Sequence, residues 1–271
     1  GKTVEDGTWK GWTWNVFGSS TDVTKAFATD TGNGGVTLEV TGDKGKINGS
    51  ASDQGLNTFL YKLDKSYDFT ITAQAKVDTL AANAQAAFGL TIRDNVGAHG
   101  NTAKLTADKN NFAFVGGYGN QAASGHGNAG YKTTKVGHTR LGESPAVGGT
   151  YDLAIQKVGD SVKLYFNGEV VAECSAEDLI TDNTMYVGLF AARNAKVTFN
   201  NVKLSYTSDS KSVAITDVTI PKKTTYCAGN TYEDVDLTGF KAVATVNGET
   251  KTITAADCVV DMSSKPFSEV T

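Results

Sequence analysis

The chain has 271 residues, enough for one large domain or for a medium domain with a small one beside it. Glycine contributes 30 residues, proline only 3, and hydrophobic residues make up 39%, which excludes collagen-like, proline-rich and wholly disordered classes. The 25 basic and 29 acidic residues give a net charge of −4, which lacks the basic excess that nucleic-acid binding requires. No apolar run approaches the roughly 20 residues that span a bilayer. We therefore expect no nucleic-acid partner and no membrane insertion.

Strand signals dominate the chain. Apolar side chains that alternate with Thr, Lys or Gln are typical of a sheet with one buried face, and this alternation predicts strands at 36–40, 69–77, 86–92, 151–158, 161–166, 185–190 and 195–199. The pairs Gly159-Asp160 and Asn167-Gly168 predict tight hairpins, because Asn and Gly tolerate positive φ. Helix signals are weak, with one turn predicted from Ser175. The pattern predicts an all-β sandwich.

A polar stretch at 207–212 predicts a domain boundary, and a second β-rich unit follows at 213–271. The chain has three cysteines, Cys174, Cys227 and Cys258. None lies in a CxxC pair, so zinc-site spacing is absent from the sequence. An odd number leaves two alternatives open, one disulfide with one thiol or three reduced thiols.

The segment 116–149 is rich in Gly, Ala, Asn, Ser and Thr, and we predict that it forms a long loop. Loops of this length in compact domains are uncommon and are usually functional or mobile. It carries residue types suited to sugar binding, namely Tyr118, Asn120, Gln121, His126, Asn128 and Tyr131. Pyranose rings stack their CH faces on aromatic rings, while amide side chains hydrogen-bond the hydroxyl groups.

All three tryptophans of the chain lie in a second candidate region. Trp12 and Trp14 have strand spacing and should point to the same face. One alternative is that they form a sugar-stacking surface. The other is that Trp14 packs in the core while Trp9 and Trp12 cover an open end of the sandwich. We expect Trp14 to be buried.

Residues 1–208 resemble the concanavalin A-like sandwiches (laminin-G or jelly-roll type) attached to secreted polysaccharide-degrading proteins. The matching stretches are 14–20, Gly45-Lys-Ile47, Phe88-Gly-Leu-Thr-Ile-Arg-Asp94 and the closing segments 186–190 and 197–204. The Phe-Gly-Leu-x-x-Arg-Asp segment is the narrowest, and is similar to modules appended to pectate lyases. The resemblance implies a carbohydrate-binding module of an extracellular or surface-attached bacterial protein.

Residues 213–271 resemble a bacterial immunoglobulin-like domain. The resemblance is carried by 220–226, Gly229, Asp234, 239–248 and Lys251-Thr-Ile-Thr254. Such domains usually continue for one or two more strands, so we expect this one to be cut at its C-terminus. Within it, Cys227 and Cys258 either form a disulfide between two strands or remain two unpaired core thiols. The resemblance also implies that other modules of a larger protein are partners.

Catalysis is not expected from these residues. Glycoside hydrolysis needs two carboxyl groups about 5 to 10 Å apart, and glucanases that share this sandwich arrange them as Glu-x-Asp-x-x-Glu along one strand. The sequence has no such triplet, and Glu173, Glu177 and Asp178 have the wrong spacing. A lyase needs a Tyr or His base beside an Arg or Lys; the segment 116–149 supplies these residue types without the signatures of sandwich alginate lyases.

The sequence therefore predicts non-catalytic binding of a polysaccharide, with starch-like α-glucan or pectin as the leading ligands. A structural or adhesive spacer without a sugar site is one alternative, and a polysaccharide lyase or glycoside hydrolase is another. The predicted stacking rings are Trp12, Tyr118 and Tyr131, and the predicted hydrogen-bonding partners are Asn120, Gln121 and Arg93. Arg93 has an alternative role in an internal salt bridge with Asp94. No cofactor is expected, although Asp108, Asn110 and Asn111 are candidates for a structural calcium ion.

Overall fold

The computed structural model describes residues 2–4, 9–18, 21–32, 34–47, 54–106, 110–119, 127–207, 213–222, 236–246 and 249–257. The chain divides into two compact units, Gly1–Ser210 and Lys211–Thr271. No helix among the described residues is long and apolar enough to cross a membrane.

The first unit is a β-sandwich of two antiparallel sheets. Its strands are β1 (Lys2–Val4), β2 (Trp12–Phe17), β3 (Ala26–Gly32), β4 (Gly35–Val40), β5 (Leu56–Asp64), β6 (Asp68–Leu80), β7 (Ala87–Arg93), β8 (Phe112–Tyr118), β9 (Ala129–Lys132), β10 (Thr139–Leu141), β11 (Thr150–Val158), β12 (Ser161–Phe166), β13 (Glu169–Ser175), β14 (Thr184–Ala192) and β15 (Ala195–Thr207). An eight-stranded sheet has the order β13-β12-β11-β6-β15-β4-β3, with β1 paired to β15. A seven-stranded sheet has the order β10-β9-β8-β7-β14-β5-β2. The prediction of an all-β fold is confirmed.

The main core lies between the two sheets. In β6 every second side chain from Phe69 to Val77 is buried, and these pack with Leu90 of β7 and Val187 of β14 from the opposite sheet. Burying a side chain of this size stabilises the fold by about 1.5 to 3 kcal/mol. The period-2 alternation therefore marks the inward face of the eight-stranded sheet, and the intervening polar residues form its outer face.

A second, smaller core covers the outer face of the seven-stranded sheet. Phe17, Phe112, Phe114 and Phe190 are fully buried there. The segment 94–106 crosses this face and is hydrogen-bonded to the end of β2, with Gly100 N donating to Val16 O at 2.8 Å and Gly18 N donating to Asn101 O at 3.0 Å. Strands β7 and β8 are buried on both faces in consequence, which explains why their sequences are nearly continuous apolar runs.

The predicted hairpins are confirmed. Gly159 has a φ of 55° and lies between β11 and β12, while Asn167 and Gly168 have φ values of 49° and 83° between β12 and β13. The predicted helical turn is also present as α1 (Ala176–Leu179), capped by the Ser175 side chain, which accepts a hydrogen bond from Asp178 N.

The prediction that 116–149 is one long loop is wrong. Its first residues complete β8, and two short strands, β9 and β10, extend the seven-stranded sheet. Gly130 allows this, because a Cβ there would come within 2.6 Å of both the Phe114 ring and Thr139 O. The glycines thus permit close packing of strands here, where the sequence alone indicated a loop.

The second unit contains an antiparallel sheet of three described strands, β16 (Val213–Thr219), β17 (Lys241–Val246) and β18 (Glu249–Thr254), in that order. Ala242 and Ala244 of the central strand are buried. The immunoglobulin-like identity of this unit stays a prediction. Cys227 and Cys258 lie outside the described residues, so the disulfide alternatives remain as the sequence left them.

Candidate functional site

Those of the sequence-predicted site residues that the structure describes are not brought together. Tyr118 and Arg93 lie on the outer face of the seven-stranded sheet, but at opposite ends of the β7–β8 ladder, where Tyr118 is opposite Ala87 and Arg93 is opposite Phe112. Trp12 and Tyr131 pack against the core between the sheets. Asn120 and Gln121 lie outside the described residues.

Tyr118 is 1% exposed, so the prediction that it is an exposed stacking ring is wrong. Its hydroxyl donates to Gln85 Oε1 at 2.9 Å, and the Arg140 guanidinium lies 4.6 Å from the ring centroid. Burial raises the pKa of the Tyr118 hydroxyl. His138 packs edge-on against the same ring, and burial, reinforced by Arg140, lowers the pKa of its imidazole to about 4. Tyr118 therefore anchors β10 and the residue before it to β8.

Arg93 is completely buried and acts within the fold. Its guanidinium lies between the rings of Phe17 and Phe112, at 5.5 and 5.7 Å from their centroids. Nη2 donates to Asn110 Oδ1 at 3.3 Å and Nε donates to Asn95 O at 3.1 Å. Burial lowers the pKa of Arg93 to about 10, although the nearby Asp94 carboxylate opposes the shift. The side chain is thus inaccessible to a polysaccharide, contrary to the predicted hydrogen-bonding role.

Asp94 completes this buried polar cluster. Its carboxylate accepts hydrogen bonds from Asn111 N, Asn111 Nδ2 and Thr181 Oγ1 at 2.9 to 3.2 Å. Burial raises the pKa of Asp94, opposed by Arg93 and these hydrogen bonds. Together Arg93 and Asp94 connect the end of β7 to the residues that begin β8. They thereby hold in place the two ends of the segment, beginning at Asp94, that covers the second core.

The described part of the candidate calcium site does not suit a cation. Asn110 Oδ1 accepts from Arg93 Nη2, and Asn111 Oδ1 accepts from Lys132 Nζ at 3.0 Å. Both amide oxygens already face positively charged donors, whereas Ca²⁺ needs free oxygen ligands. Asp108 lies outside the described residues. Among the residues that are described, no group of three or more His, Cys, Asp or Glu side chains has metal-site geometry.

The two tryptophans of β2 have the reverse of their expected environments. Trp12 is 8% exposed and stacks on Phe59 with a centroid distance of 5.3 Å, whereas Trp14 is 39% exposed. The predictions that Trp12 is an exposed ring and that Trp14 is buried are both wrong. Both rings share one face of β2, but β2 is the edge strand of its sheet, and coverage by the opposite sheet differs along it.

Tyr131 is half-buried on β9, opposite Ala113 of β8, and packs against the main core. A tyrosine at this register position faces the opposite sheet rather than the surface, because Ala113 belongs to the inward face of β8. Part of the ring is thus taken up by the core, and its sugar-stacking role stays a prediction.

A groove of about 500 Å³ crosses the outer face of the eight-stranded sheet, which sequence reasoning did not identify. We call it the sheet groove. Its polar lining residues are Thr70, Thr72 and Gln74 of β6, Asp152 and Gln156 of β11, Tyr165 of β12 and Asn201 of β15. The β6–β11 register places Gln74 opposite Asp152 and Gln156 opposite Thr70.

Hydrogen bonds across strands orient the side chains of the sheet groove. Gln74 Nε2 donates to Asp152 Oδ1 at 3.2 Å, and Tyr165 OH donates to Gln156 Oε1 at 3.2 Å. An amide group has two N–H donors and a carboxylate has two oxygens, so each partner keeps further hydrogen-bonding positions. The half-buried Tyr165 ring adds an apolar surface beside them. The groove can therefore bind a flat, hydroxyl-rich ligand.

The described lining of the sheet groove carries a single charge. Among the described residues that line it, Asp152 is the only one with a charged side chain. The usual mechanism of glycoside hydrolysis uses two carboxyl groups, and the described lining supplies one. The same lining has no Arg or Lys to neutralise a uronate.

Comparison with known proteins gives one sequence relative. No family model matches the chain. It is 28% identical over 252 residues to pectate lyase L of Thermoclostridium stercorarium, an alignment that covers 92% of this chain and 19% of that protein. The chain thus spans about a fifth of the length of the curated relative that it matches. Because the alignment is longer than the first unit, it extends into the second.

Solved structures with a similar fold include a carbohydrate-binding module from Bacillus subtilis, which is 19% identical with a TM-score of 0.41 and is covered over 96% of its length by 72% of this chain. They also include an alginate lyase of polysaccharide lyase family 7, which is 10% identical with a TM-score of 0.42 and is covered over 94% of its length by 73% of this chain. Both TM-scores lie below 0.5.

Proposed function

We propose that the first unit is a non-catalytic polysaccharide-binding module whose ligand lies in the sheet groove. The observation that carries this proposal is the row of cross-strand hydrogen-bonded side chains, Gln74 with Asp152 and Gln156 with Tyr165, on one rigid sheet face. Adjacent sugar hydroxyls take paired hydrogen bonds from amides and carboxylates, and the CH face of a pyranose stacks on a tyrosine ring. Strands hold such groups in place more firmly than loops do.

The lining of the sheet groove supports binding over catalysis. Its one described carboxylate, Asp152, accepts a hydrogen bond from Gln74 and has no second acid opposite it in the described lining. Hydrolysis by the usual mechanism requires an acid and a second carboxylate on the two sides of the glycosidic bond. We therefore propose that any lyase or hydrolase activity of a longer protein resides in a different module.

The ligand of the groove is proposed to be a neutral glycan such as a starch-like α-glucan, in preference to pectin. Two carboxylates in one site repel each other, so Asp152 disfavours a galacturonate residue in contact with it. The described lining holds no lysine or arginine, although Lys163 and Lys203 lie opposite its residues Gln156 and Thr72 in the strand register. A neutral polymer avoids the repulsion and still uses Asp152 as a hydrogen-bond acceptor.

The context that we propose is a secreted or surface-attached bacterial protein of several modules. In support, the match to pectate lyase L continues from the first unit into the second while it occupies 19% of that protein. A weak binding module tethered to an enzyme raises the local concentration of its polymer through avidity. Such a module would hold neighbouring enzymes near their substrate.

Affinity electrophoresis against a panel of polysaccharides tests this function. The panel contains amylopectin, β-glucan, arabinan and polygalacturonate, and we expect the protein to be retarded in at least one neutral polymer. Absence of retardation in every gel would contradict binding and favour the structural spacer. Release of reducing sugar or of unsaturated uronates, measured in parallel, would contradict the non-catalytic part of the proposal.

A further inference from the structure

A second aromatic surface lies at the edge of the sandwich, separate from the sheet groove. The Trp14 ring is 39% exposed, yet it is held at its polar end, since Nε1 donates to Asn57 Oδ1 at 2.8 Å. Asn57 is itself buried and donates from Nδ2 to Phe27 O at 2.8 Å and to Glu39 O at 3.1 Å in the opposite sheet. The indole orientation is therefore fixed by both sheets.

His99 packs against the same ring. Its imidazole contacts Trp14 edge-on, with a centroid distance of 4.8 Å, and its Nδ1 accepts a hydrogen bond from Val16 N at 3.2 Å. In the neutral imidazole this bond leaves the proton on Nε2, so His99 carries a hydrogen-bond donor on a ring that contacts Trp14. His99 is itself exposed.

Trp14 lies on the same side of β2 as the core residues Trp12 and Val16, so it borders the space between the two sheets. Phe27 is a separate exposed ring. It lies on β3, the edge strand of the eight-stranded sheet, and its side chain is 46% exposed. The preceding residue, Ala26, is buried in the main core, so Phe27 points to the outer face, which is also the face of the sheet groove. Strands β4, β15 and β6 lie between β3 and β11, which separates Phe27 from the centre of the groove by roughly 20 Å.

We propose that Trp14 and His99 form a second sugar-binding site, the Trp14 edge. A pyranose stacks on the fixed indole, and His99 Nε2–H donates to one of its hydroxyls. That the ligand is a sugar rests on the proposed function, whereas the position of the site does not. A polymer chain bound at both the sheet groove and the Trp14 edge gains avidity that a single short oligosaccharide does not.

The chemistry of the Trp14 edge fits a sugar better than a protein partner. Stable protein interfaces bury about 800 Å² on each partner around a continuous apolar centre. Here the exposed rings of Trp14 and Phe27 lie on different sheets and on different faces, so they form no continuous apolar surface. One preorganised indole flanked by a hydrogen-bond donor matches the size and polarity of one sugar ring.

The test uses Trp14→Ala beside two controls that also truncate an exposed apolar side chain. These are Phe27→Ala, on the outer face of β3, and Val136→Ala, between β9 and β10 at the opposite edge of the seven-stranded sheet from β2. On the neutral polymer that retains the wild type, we expect Trp14→Ala to weaken retention about tenfold, as loss of one stacked ring does. We expect no comparable loss for Phe27→Ala or Val136→Ala. Circular dichroism melts verify that each variant is folded.

Fluorescence of the wild type gives a second measurement that does not depend on the variants folding. Trp14 is the most exposed of the described tryptophans, so bound polymer should protect it from acrylamide quenching. Unchanged retention by Trp14→Ala together with unchanged quenching would overturn the site while leaving the sheet groove intact. Failure of the wild type to bind any polymer would instead overturn both proposals. Concentration-dependent self-association that Trp14→Ala abolishes would identify a protein interface and also overturn the site.

Discussion

Tyr165 and Gln156 form a hydrogen bond of 3.2 Å across β11 and β12, on the outward face of the eight-stranded sheet. The hydroxyl donates to the amide oxygen, so the Gln156 amide group is turned with its nitrogen toward Thr70 of β6. Three neighbouring strands thus contribute one connected row of polar groups. This row lies along the floor of the sheet groove, and its orientation is fixed before any ligand binds.

The charge of Asp152 should determine which polymers the groove accepts. We expect Asp152→Asn to keep the hydrogen bond from Gln74 and therefore to keep binding of the neutral glycan within about tenfold, since one hydrogen bond contributes about 0.5 to 1.5 kcal/mol. The same variant should be retained more strongly than the wild type by polygalacturonate, because one repulsion is removed. Affinity electrophoresis at low and high salt measures both effects. Stronger retention of the wild type than of the variant by polygalacturonate would contradict the assignment of a neutral ligand.

The two tryptophans of β2 should differ sharply in their effect on stability. Trp12→Ala removes a buried ring that packs on Phe59, and we expect a loss of about 3 to 5 kcal/mol. Trp14→Ala removes an exposed ring and one hydrogen bond to Asn57, and we expect a loss of roughly 1 to 2 kcal/mol. Denaturant unfolding of the two variants under identical conditions gives the difference. Equal losses would contradict the difference in burial between the two rings.

Arg93 should be a determinant of stability and not of binding. Arg93→Ala deletes a buried guanidinium that holds Asn95 and Asn110, leaving Asp94 without its nearest positive charge, and we expect a loss of more than about 3 kcal/mol. Arg140→Ala is the matched control, because its exposed guanidinium lies over the Tyr118 ring and contributes at most about 1 kcal/mol. Thermal and denaturant unfolding measure both. A stable Arg93→Ala variant that fails to bind polymer would show instead that Arg93 serves the ligand.

His138 should make the fold weaken in mild acid. Burial lowers the pKa of its imidazole to about 4, below its ordinary value of 6.5, so only the unfolded chain takes up a proton between these two values. The free energy of unfolding therefore falls as the pH drops from 6.5 to about 4, by roughly 2 to 3 kcal/mol. His138→Phe should remove this part of the pH dependence while keeping the contact with Tyr118. If wild type and variant lose stability in parallel over this range, the assignment to His138 is wrong.

The fold could be predicted from the sequence because the patterns that indicate it most strongly are local. The alternation at 69–77 marks the inward face of β6, and Asn167-Gly168 has the residues that a two-residue hairpin requires. The same local rules failed at 116–149, where glycines that permit close strand packing have the composition of a loop. Composition alone does not separate these two uses of glycine.

The sheet groove was not accessible from the sequence, because it depends on pairing between distant segments. Thr70, Thr72 and Gln74 resemble any outward-facing positions of a strand until β11 pairs with β6 and places Asp152 and Gln156 opposite them. Trp12 and Trp14 pose a similar problem. Their spacing predicts a shared face, but which ring is covered depends on how far the opposite sheet extends.

Calorimetric titration of a neutral oligosaccharide into the wild type, Tyr165→Ala and Tyr186→Ala tests the central claim most directly. Tyr165 lines the sheet groove, whereas Tyr186 is a half-buried tyrosine of β14 in the opposite sheet, so the two variants remove the same ring from different faces. We predict that Tyr165→Ala weakens binding by about 1 to 3 kcal/mol, as loss of a stacked ring does, with little change in melting temperature. Tyr186→Ala should bind as the wild type does. Equal binding by the wild type and by folded Tyr165→Ala would contradict the proposal that the sheet groove is the sugar-binding site.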